Sequence, residues 1–368
     1  MRSRRGEWRG RSAARRRPDL VNRHPVVAED LARVASAPID WERLRGRTVL
    51  ISGAAGFLPA YMVETLLFLN ESNPDFRVRV IGVVRNLERA SVRFGAYAGR
   101  DDLRLLEQDV GAPLELDDRC DVIVHAAGQA SPRFYDTDPV GTIDSAVLGT
   151  RNLLERARRD DSETVLVFSS GEVYGETATV PTTEDDYGPL DPTRVRSCYG
   201  ESKRLAETLC VAYRHQHDVP VKVVRPYHTY GPGLRLDDGR VFADFVADVI
   251  ARRPLVLKSD GLATRAFCYL ADATLGFFTV LLAGANGRAY NIGNDEAELS
   301  ILELARTLGD EFGLEVVEQP RAASPDYVPS TIGRSAPDIG RARALGWAPT
   351  TSVREGFART VHSFQDAA

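Results

Sequence analysis

Tyr199 and Lys203 stand four residues apart in Arg196-Ser-Cys-Tyr-Gly-Glu-Ser-Lys203. On a helix, residues at i and i+4 share a face. An ammonium fixed beside a phenol favours phenolate and draws the tyrosine pKa down from about 10 towards the working pH. Such a phenolate can take the proton of an alcohol while hydride leaves the same carbon. Ser170, in Ser169-Ser-Gly-Glu-Val-Tyr-Gly175, offers a hydroxyl to hydrogen-bond the alcohol being oxidised. Two residues on, Glu172 supplies a carboxylate suited to general-base work or to holding a substrate. Tyr174 in the same stretch reads as packing.

These side chains need a scaffold, and the chain between residues 47 and 226 provides its signature. Short apolar runs alternate with helical patterns: 47–52, 78–84, 103–110, 121–125, 164–169 and 221–225, with a helix read over 59–70 as amphipathic. Six strands alternating with crossover helices describe a doubly wound parallel sheet of the α/β class, the Rossmann arrangement. Beyond about residue 228 the rhythm loosens into glycine turns and short segments, which suggests a smaller mixed C-terminal lobe that binds substrate. The expected organisation is a basic, disordered N-terminal extension and lead-in over 1–45. A dinucleotide-binding domain follows over 46–228, then a lobe over 229–368 with segments returning to the sheet.

Gly53-Ala-Ala-Gly56-Phe57-Leu58-Pro59 follows the first strand and opens a helix, the setting in which glycines let a backbone approach a pyrophosphate. Pro59 takes the third glycine position, where a helix's first turn tolerates a missing N–H. At the end of the second strand Arg85 occupies the place of a ribose-binding acid, which suits a 2′-phosphate and keeps NADP open beside NAD. Asp109 and Val110, after the third strand, are placed to meet an adenine amino group.

Composition narrows the class of protein. With 368 residues, 43% hydrophobic and 27% charged, the chain reads as an ordinary globular protein. No apolar run reaches membrane-spanning length. Four cysteines (Cys120, Cys198, Cys210, Cys268) show no zinc or disulfide spacing, so no metal is expected and the cytoplasm is the default compartment. Eight arginines and one glutamate put residues 1–17 at +7, leaving −12 for the rest of a chain of net charge −5. Nothing downstream reads as a nucleic-acid fold, so the arm is taken as a tail rather than a nucleic-acid site.

Taken as a set, these motifs resemble the extended short-chain dehydrogenase/reductases, the nucleotide-sugar epimerases, dehydratases and decarboxylases. The likeness runs over about 46–362. It rests on the glycine turn, His125-Ala126-Ala127-Gly128, Ser169–Tyr174, Tyr199/Lys203 and Arg225-Pro-Tyr-His-Thr-Tyr-Gly-Pro232. Ala130-Ser-Pro-Arg-Phe-Tyr135, Arg196-Ser-Cys-Tyr199, Asp237-Asp-Gly-Arg-Val241 and Thr264-Arg-Ala-Phe267 resemble the UDP-glucuronate decarboxylase subgroup. The resemblance implies bound NAD, a nucleotide-sugar substrate and a homodimer. It places Gly53, Gly56, Phe57, Leu58, Ala126, Ala127 and Gly128 at the cofactor. Ser170 and Tyr199 would flank the sugar 4-hydroxyl, Lys203 the nicotinamide ribose, and Glu172 and Arg196 the C5 centre. Arg240 and Arg265 would grip the diphosphate, with Ser131, Tyr135 and His228 beside the substrate.

Three positions depart from the pattern: Gly171 where the subgroup has serine, His228 where asparagine is usual, and Arg85 for the ribose acid. Without an aspartate at 171, a 4,6-dehydratase lacks its donor to the departing hydroxyl. A simple 4-epimerase has no need of Glu172. Decarboxylation and 4-epimerisation after C4 oxidation both remain open. A non-catalytic dinucleotide-binding regulator would not require Ser170, Tyr199 and Lys203 together.

Overall fold

The computed structural model describes residues 23–318 and 333–365; the arginine-rich segment 1–17 lies outside them. Seven parallel strands form the central sheet. They are β1 (Thr48–Ser52), β2 (Arg79–Val84), β3 (Leu103–Glu107), β4 (Val122–His125), β5 (Thr164–Phe168), β6 (Val221–Pro226) and the strand Ala289–Ile292. Their order is 3-2-1-4-5-6 with Ala289–Ile292 outside β6, so the strand order reverses between β1 and β4. All six expected strands are present, β3 ending earlier than expected. The seventh is additional to them.

Successive residues of β1 feed opposite cores, as a strand's period of two requires. Val49 and Ile51 pack with α2 (Phe57–Ser72) and α8 (Leu270–Ala283), while Leu50 packs with α5 (Pro139–Asp160) and α6 (Cys198–His217). Helices α3 (Leu87–Arg93) and α4 (Pro132–Thr137) follow β2 and β4, and α7 (Val241–Ile250) belongs to the C-terminal half.

The segment expected as lead-in contains a folded helix, α1 (Pro25–Ala35), and this corrects two readings at once. Leu31 packs on Tyr61 and Leu270, with Val27, Phe57 and Leu58 around them. Because α1 covers the outer face of α2, every residue from Pro59 to Leu67 is buried, and α2 is not amphipathic. Asp30 of α1 is buried and accepts hydrogen bonds from Tyr61 (3.2 Å), Tyr269 (2.6 Å) and Arg359 (2.8 Å). Three donors offset part of the cost of burying that carboxylate, and burial still raises its pKa.

The C-terminal half adds a three-stranded mixed sheet in the order Glu298–Ser300, Thr264–Ala266, Arg334–Ser335, and a parallel pair of Leu255–Leu257 with Val316–Glu318. These sit with α7 and the helix Ile301–Phe312 beyond the carboxyl ends of the strands. No helix among the described residues is long and apolar enough to cross a membrane.

Candidate active site

The carboxyl ends of β1 and β4 meet where the strand order reverses, which is where open α/β sheets bind ligands. Gly53 has φ +66°, and a Cβ there would fall 2.7 Å from the Ala127 Cα. Only glycine lets the two strand ends approach so closely. Gly56 caps α2 with no side chain on its free amides, so the first turn of a 16-residue helix keeps its donors for an anion. Pro59 is the third residue of α2, and the turn is closed by Gly56 N–H on Gly53 O at 2.7 Å. This geometry fits a dinucleotide pyrophosphate. Phe57 and Leu58 turn their side chains towards α1.

Ala126 and Ala127 donate their amides to Ser52 Oγ at 3.2 Å each, and Ser52 Oγ lies 2.8 Å from His125 Nδ1. Burial lowers the pKa of His125 to about 3, so the ring is neutral. With both lone pairs of Ser52 occupied, its proton faces His125. Gly128 follows, and a Cβ there would stand 3.6 Å from Lys203 Nζ. The loop Ala126–Gly128 therefore lies against the lysine.

Tyr199 is the second residue of α6, and Lys203 lies one turn on. Lys203 Nζ donates to the Phe168 carbonyl at the end of β5 at 2.7 Å. Ser170, immediately after that strand, acts on the Tyr199 phenol and favours its ionised form. Its Oγ also accepts the Glu172 amide at 3.2 Å, capping the short turn Gly171–Tyr174. The expected pKa direction for Tyr199 is reversed. Burial raises it; Ser170 opposes, Glu172 adds to the rise, and Arg240 and Arg196 pull down. The lysine charge is turned to a backbone carbonyl, and burial drops Lys203 itself to about 8. A sequence displays the neighbouring charge, while the desolvation that outweighs it appears only on folding.

Glu172 and Arg196 form an ion pair, both carboxylate oxygens lying 2.9 and 3.0 Å from Arg196 Nη2. The guanidinium sits 4.6 Å over the Tyr135 ring, and that ring stacks on Tyr199 at 4.9 Å. Tyr135 spends its hydroxyl on the Ala130 carbonyl at 2.8 Å, so it offers a face rather than a donor. Arg240 Nη2 reaches the same carbonyl at 2.9 Å, and its Nε lies 3.0 Å from Asp238. Ser131 Oγ donates to the Asp238 carbonyl at 2.8 Å. His228 is half-buried beside Ser335, 3.3 Å from its Oγ. Burial, then Arg265 and Arg240, hold it well below the ordinary histidine range. Arg265 Nη1 donates to the Thr264 carbonyl at 2.7 Å. Tyr199, Ser170, Glu172, Arg196, Tyr135 and Arg240 thus make one cluster, with His228, Arg265 and Ser131 on its lobe side.

At the other end of the crevice, Arg85 is exposed past β2. Asp138 lies below the usual carboxylate range, first through Gln129, then the Gly141 amide, with the Arg85 charge adding to both. Asp109 accepts the Gly111 amide at 2.8 Å, and Val110 is buried with its carbonyl bonded by Asn152 at 2.8 Å. Gly171 has a steric reason: a Cβ there would come within 3.1 Å of the Tyr227 ring. Tyr174, read as packing, is a polar hub that donates to Asn291 Oδ1 at 2.6 Å and accepts from Arg225 at 2.8 Å. The sequence reading also passed over Ser52, Gln129 and Glu207. Glu207, four residues beyond Lys203, was accessible from spacing alone.

The fold and these residues suit a dinucleotide-dependent enzyme that oxidises a secondary alcohol. The model of the NAD dependent epimerase/dehydratase family matches residues 49–293, and the chain belongs to that family. It is 36% identical over 310 residues to UDP-glucuronic acid decarboxylase 6 of Arabidopsis thaliana, covering 84% of this chain and 86% of that one. It is 31% identical over 328 residues to UDP-glucuronic acid decarboxylase 1 of Xenopus tropicalis, covering 87% and 72%. Among solved structures, a double mutant of the dTDP-glucose 4,6-dehydratase DesIV of Streptomyces venezuelae, with NAD bound, superposes with TM-score 0.69 at 26% identity, covering 86% of this chain and 97% of that one. UDP-glucuronic acid 4-epimerase of Bacillus cereus shares the fold at TM-score 0.73 and 23% identity, covering 86% and 98%.

Proposed function

We propose that this chain is an NAD-dependent decarboxylase of UDP-glucuronate. The observation that carries the choice of reaction is the Glu172–Arg196 ion pair. It lies against Tyr135, which stacks on the redox tyrosine. Oxidation and return of hydride at C4 alone would need only Ser170, Tyr199 and Lys203. A charged pair beside them serves a second step at C5 or C6. The similarity to curated UDP-glucuronic acid decarboxylases supports the same choice.

Tyr199 takes the proton of the sugar 4-hydroxyl, with Ser170 holding that oxygen and Lys203 and the nearby arginines favouring the phenolate. NAD held at the glycine turn and the Ala126–Gly128 loop would supply the hydride acceptor and donor. The 4-ketone makes the C5–C6 bond labile: its electron pair passes into the C4–C5 enolate as the carboxylate leaves as carbon dioxide. Glu172 and Arg196 serve that centre; a proton from water replaces the lost carboxylate at C5, and hydride returns to C4 as Tyr199 gives its proton back to the 4-oxygen. Arg240 and Arg265 suit the diphosphate, since guanidinium forks match phosphate oxygens. The residues that bind cofactor and substrate are those assembled above: Gly53, Gly56 and Ala126–Gly128 for the first, Ser131, Tyr135, Arg196, His228, Arg240 and Arg265 for the second. Purified protein given UDP-glucuronate should yield a product lighter by the mass of carbon dioxide, read by mass spectrometry; an isobaric product would indicate epimerisation and sink this reading.

The same reading includes a homodimer. Val140, Ile143 and Leu148 on α5 and Leu205 and Val211 on α6 are exposed, and the two helices pack side by side. A second copy covering this apolar face would remove it from water. Sedimentation should give a dimer mass for the native chain and a monomer for Val140→Asp with Val211→Asp; a native monomer would contradict it.

A further inference from the structure

The face of α6 that carries Tyr199 and Lys203 does not end with them. Glu207 lies one further turn along, so phenol, ammonium and carboxylate fall at i, i+4 and i+8. Its carboxylate is gripped by both arms of Arg225, with Nε at 2.9 Å from Oε1 and Nη2 at 2.6 Å from Oε2. The two side chains are 15% and 8% exposed, so this is a largely buried pair. Arg225 comes from β6 and is itself fixed: Nη1 donates to the Tyr174 hydroxyl at 2.8 Å and to the Glu184 carbonyl at 3.0 Å. Tyr174 in turn donates to Asn291, the register partner of Arg225 on the neighbouring strand.

We propose that Glu207, clamped by Arg225, is a positioning residue that sets how much positive charge Lys203 carries beside Tyr199. The inference rests on the redox role given above to Lys203. The groups facing Lys203 can be named from each packed element. Glu207 and Cys210 lie on its own helix, with Tyr199 one turn back, its ring 5.9 Å from Nζ. β4 contributes His125, β5 the Phe168 carbonyl, and the loop after β4 contributes Gly128. Burial keeps His125 and Cys210 neutral. Glu207 is therefore the anion among these neighbours, and it opposes the burial that brings the lysine to about 8. Arg225 moderates that effect, because a carboxylate shared with a bidentate guanidinium exerts a weaker field on a second cation.

The sign of each change follows. Glu207→Gln keeps the shape of the side chain and removes its charge, so Lys203 should lose its proton at a pH lower by about one unit. Arg225→Gln removes the competing cation, so the midpoint should rise. Protein labelled with ¹³C at lysine Cε, without added cofactor, is titrated by NMR, with Lys203→Met fixing the assignment. Alongside it, the alkaline limb of kcat/KM is measured for each variant and should move in the same direction as the midpoint. A wild-type midpoint in a folded Glu207→Gln overturns the proposal, since a merely structural carboxylate would change stability and leave the titration alone. If Glu207→Gln does not fold, Arg225→Gln decides: an upward shift supports the proposal, and an unchanged or lower midpoint overturns it. Midpoints that move as stated in a protein inert to every nucleotide sugar would leave this coupling intact and refute the catalytic reading instead.

Discussion

The two halves of the candidate site are built differently. On the sheet side, Tyr199 and Lys203 are 6% and 5% exposed; the lysine is bonded to the end of β5 and the tyrosine ring is stacked on Tyr135. On the substrate side, Arg196 and Glu172 are 45% and 32% exposed and paired with one another. An ion pair so exposed contributes about 0–1 kcal/mol and is readily exchanged for a substrate group. The groups proposed for redox chemistry are preorganised, as electrostatic catalysis requires. The charged pair proposed to meet the sugar keeps a partnership that a ligand can replace.

The hardest test of this contrast is Tyr199→Phe. Loss of the phenol should lower turnover by about 10²–10⁴-fold or more, while cofactor affinity by fluorescence titration stays near the wild-type value. Activity within tenfold of wild type would remove Tyr199 from its role. Glu172→Gln strikes the other half and should have a smaller, divided effect. Carbon dioxide release should fall about 10²-fold, while C4 oxidation persists, seen as near-ultraviolet absorbance of reduced nicotinamide when substrate is added. If both stages fall together, the two halves are not separable. The mildest effect is one of pH. Lys203 is charged below about 8 and loses its proton as the pH rises through that value, so kcat/KM should decline above it by about tenfold per unit. A flat profile from pH 7 to 10 would show that the charge of Lys203 is not used.

The same contrast explains what the sequence disclosed. Strands β1 to β6, the glycine turn and the Tyr199/Lys203 spacing are local patterns, and local patterns survive in a linear text. The strand Ala289–Ile292 has four residues, one of them the buried polar Asn291, and carries too little periodicity to be seen. Helix α1 did leave a trace in Val27, Leu31 and Val34, but the arginine-rich run before it drew the whole segment into one basic tail. The direction of the Tyr199 shift depends on burial from several elements, and no spacing encodes that. Gly171 is intelligible only beside Tyr227, 56 positions away in the chain and within 3.1 Å of a Cβ built there. Tyr174 and Glu207 are the reverse case: their positions were visible, but their partner Arg225 comes from another strand.

The central claim is that oxidation at C4 is followed by loss of the C6 carboxylate. UDP-glucuronate carrying ¹³C at C6, followed by NMR during turnover, reads that step directly. The account predicts that the label leaves the nucleotide sugar and appears as ¹³C carbon dioxide and bicarbonate, one for each sugar converted. Label retained in a converted nucleotide sugar, with the carboxylate still attached, would contradict it.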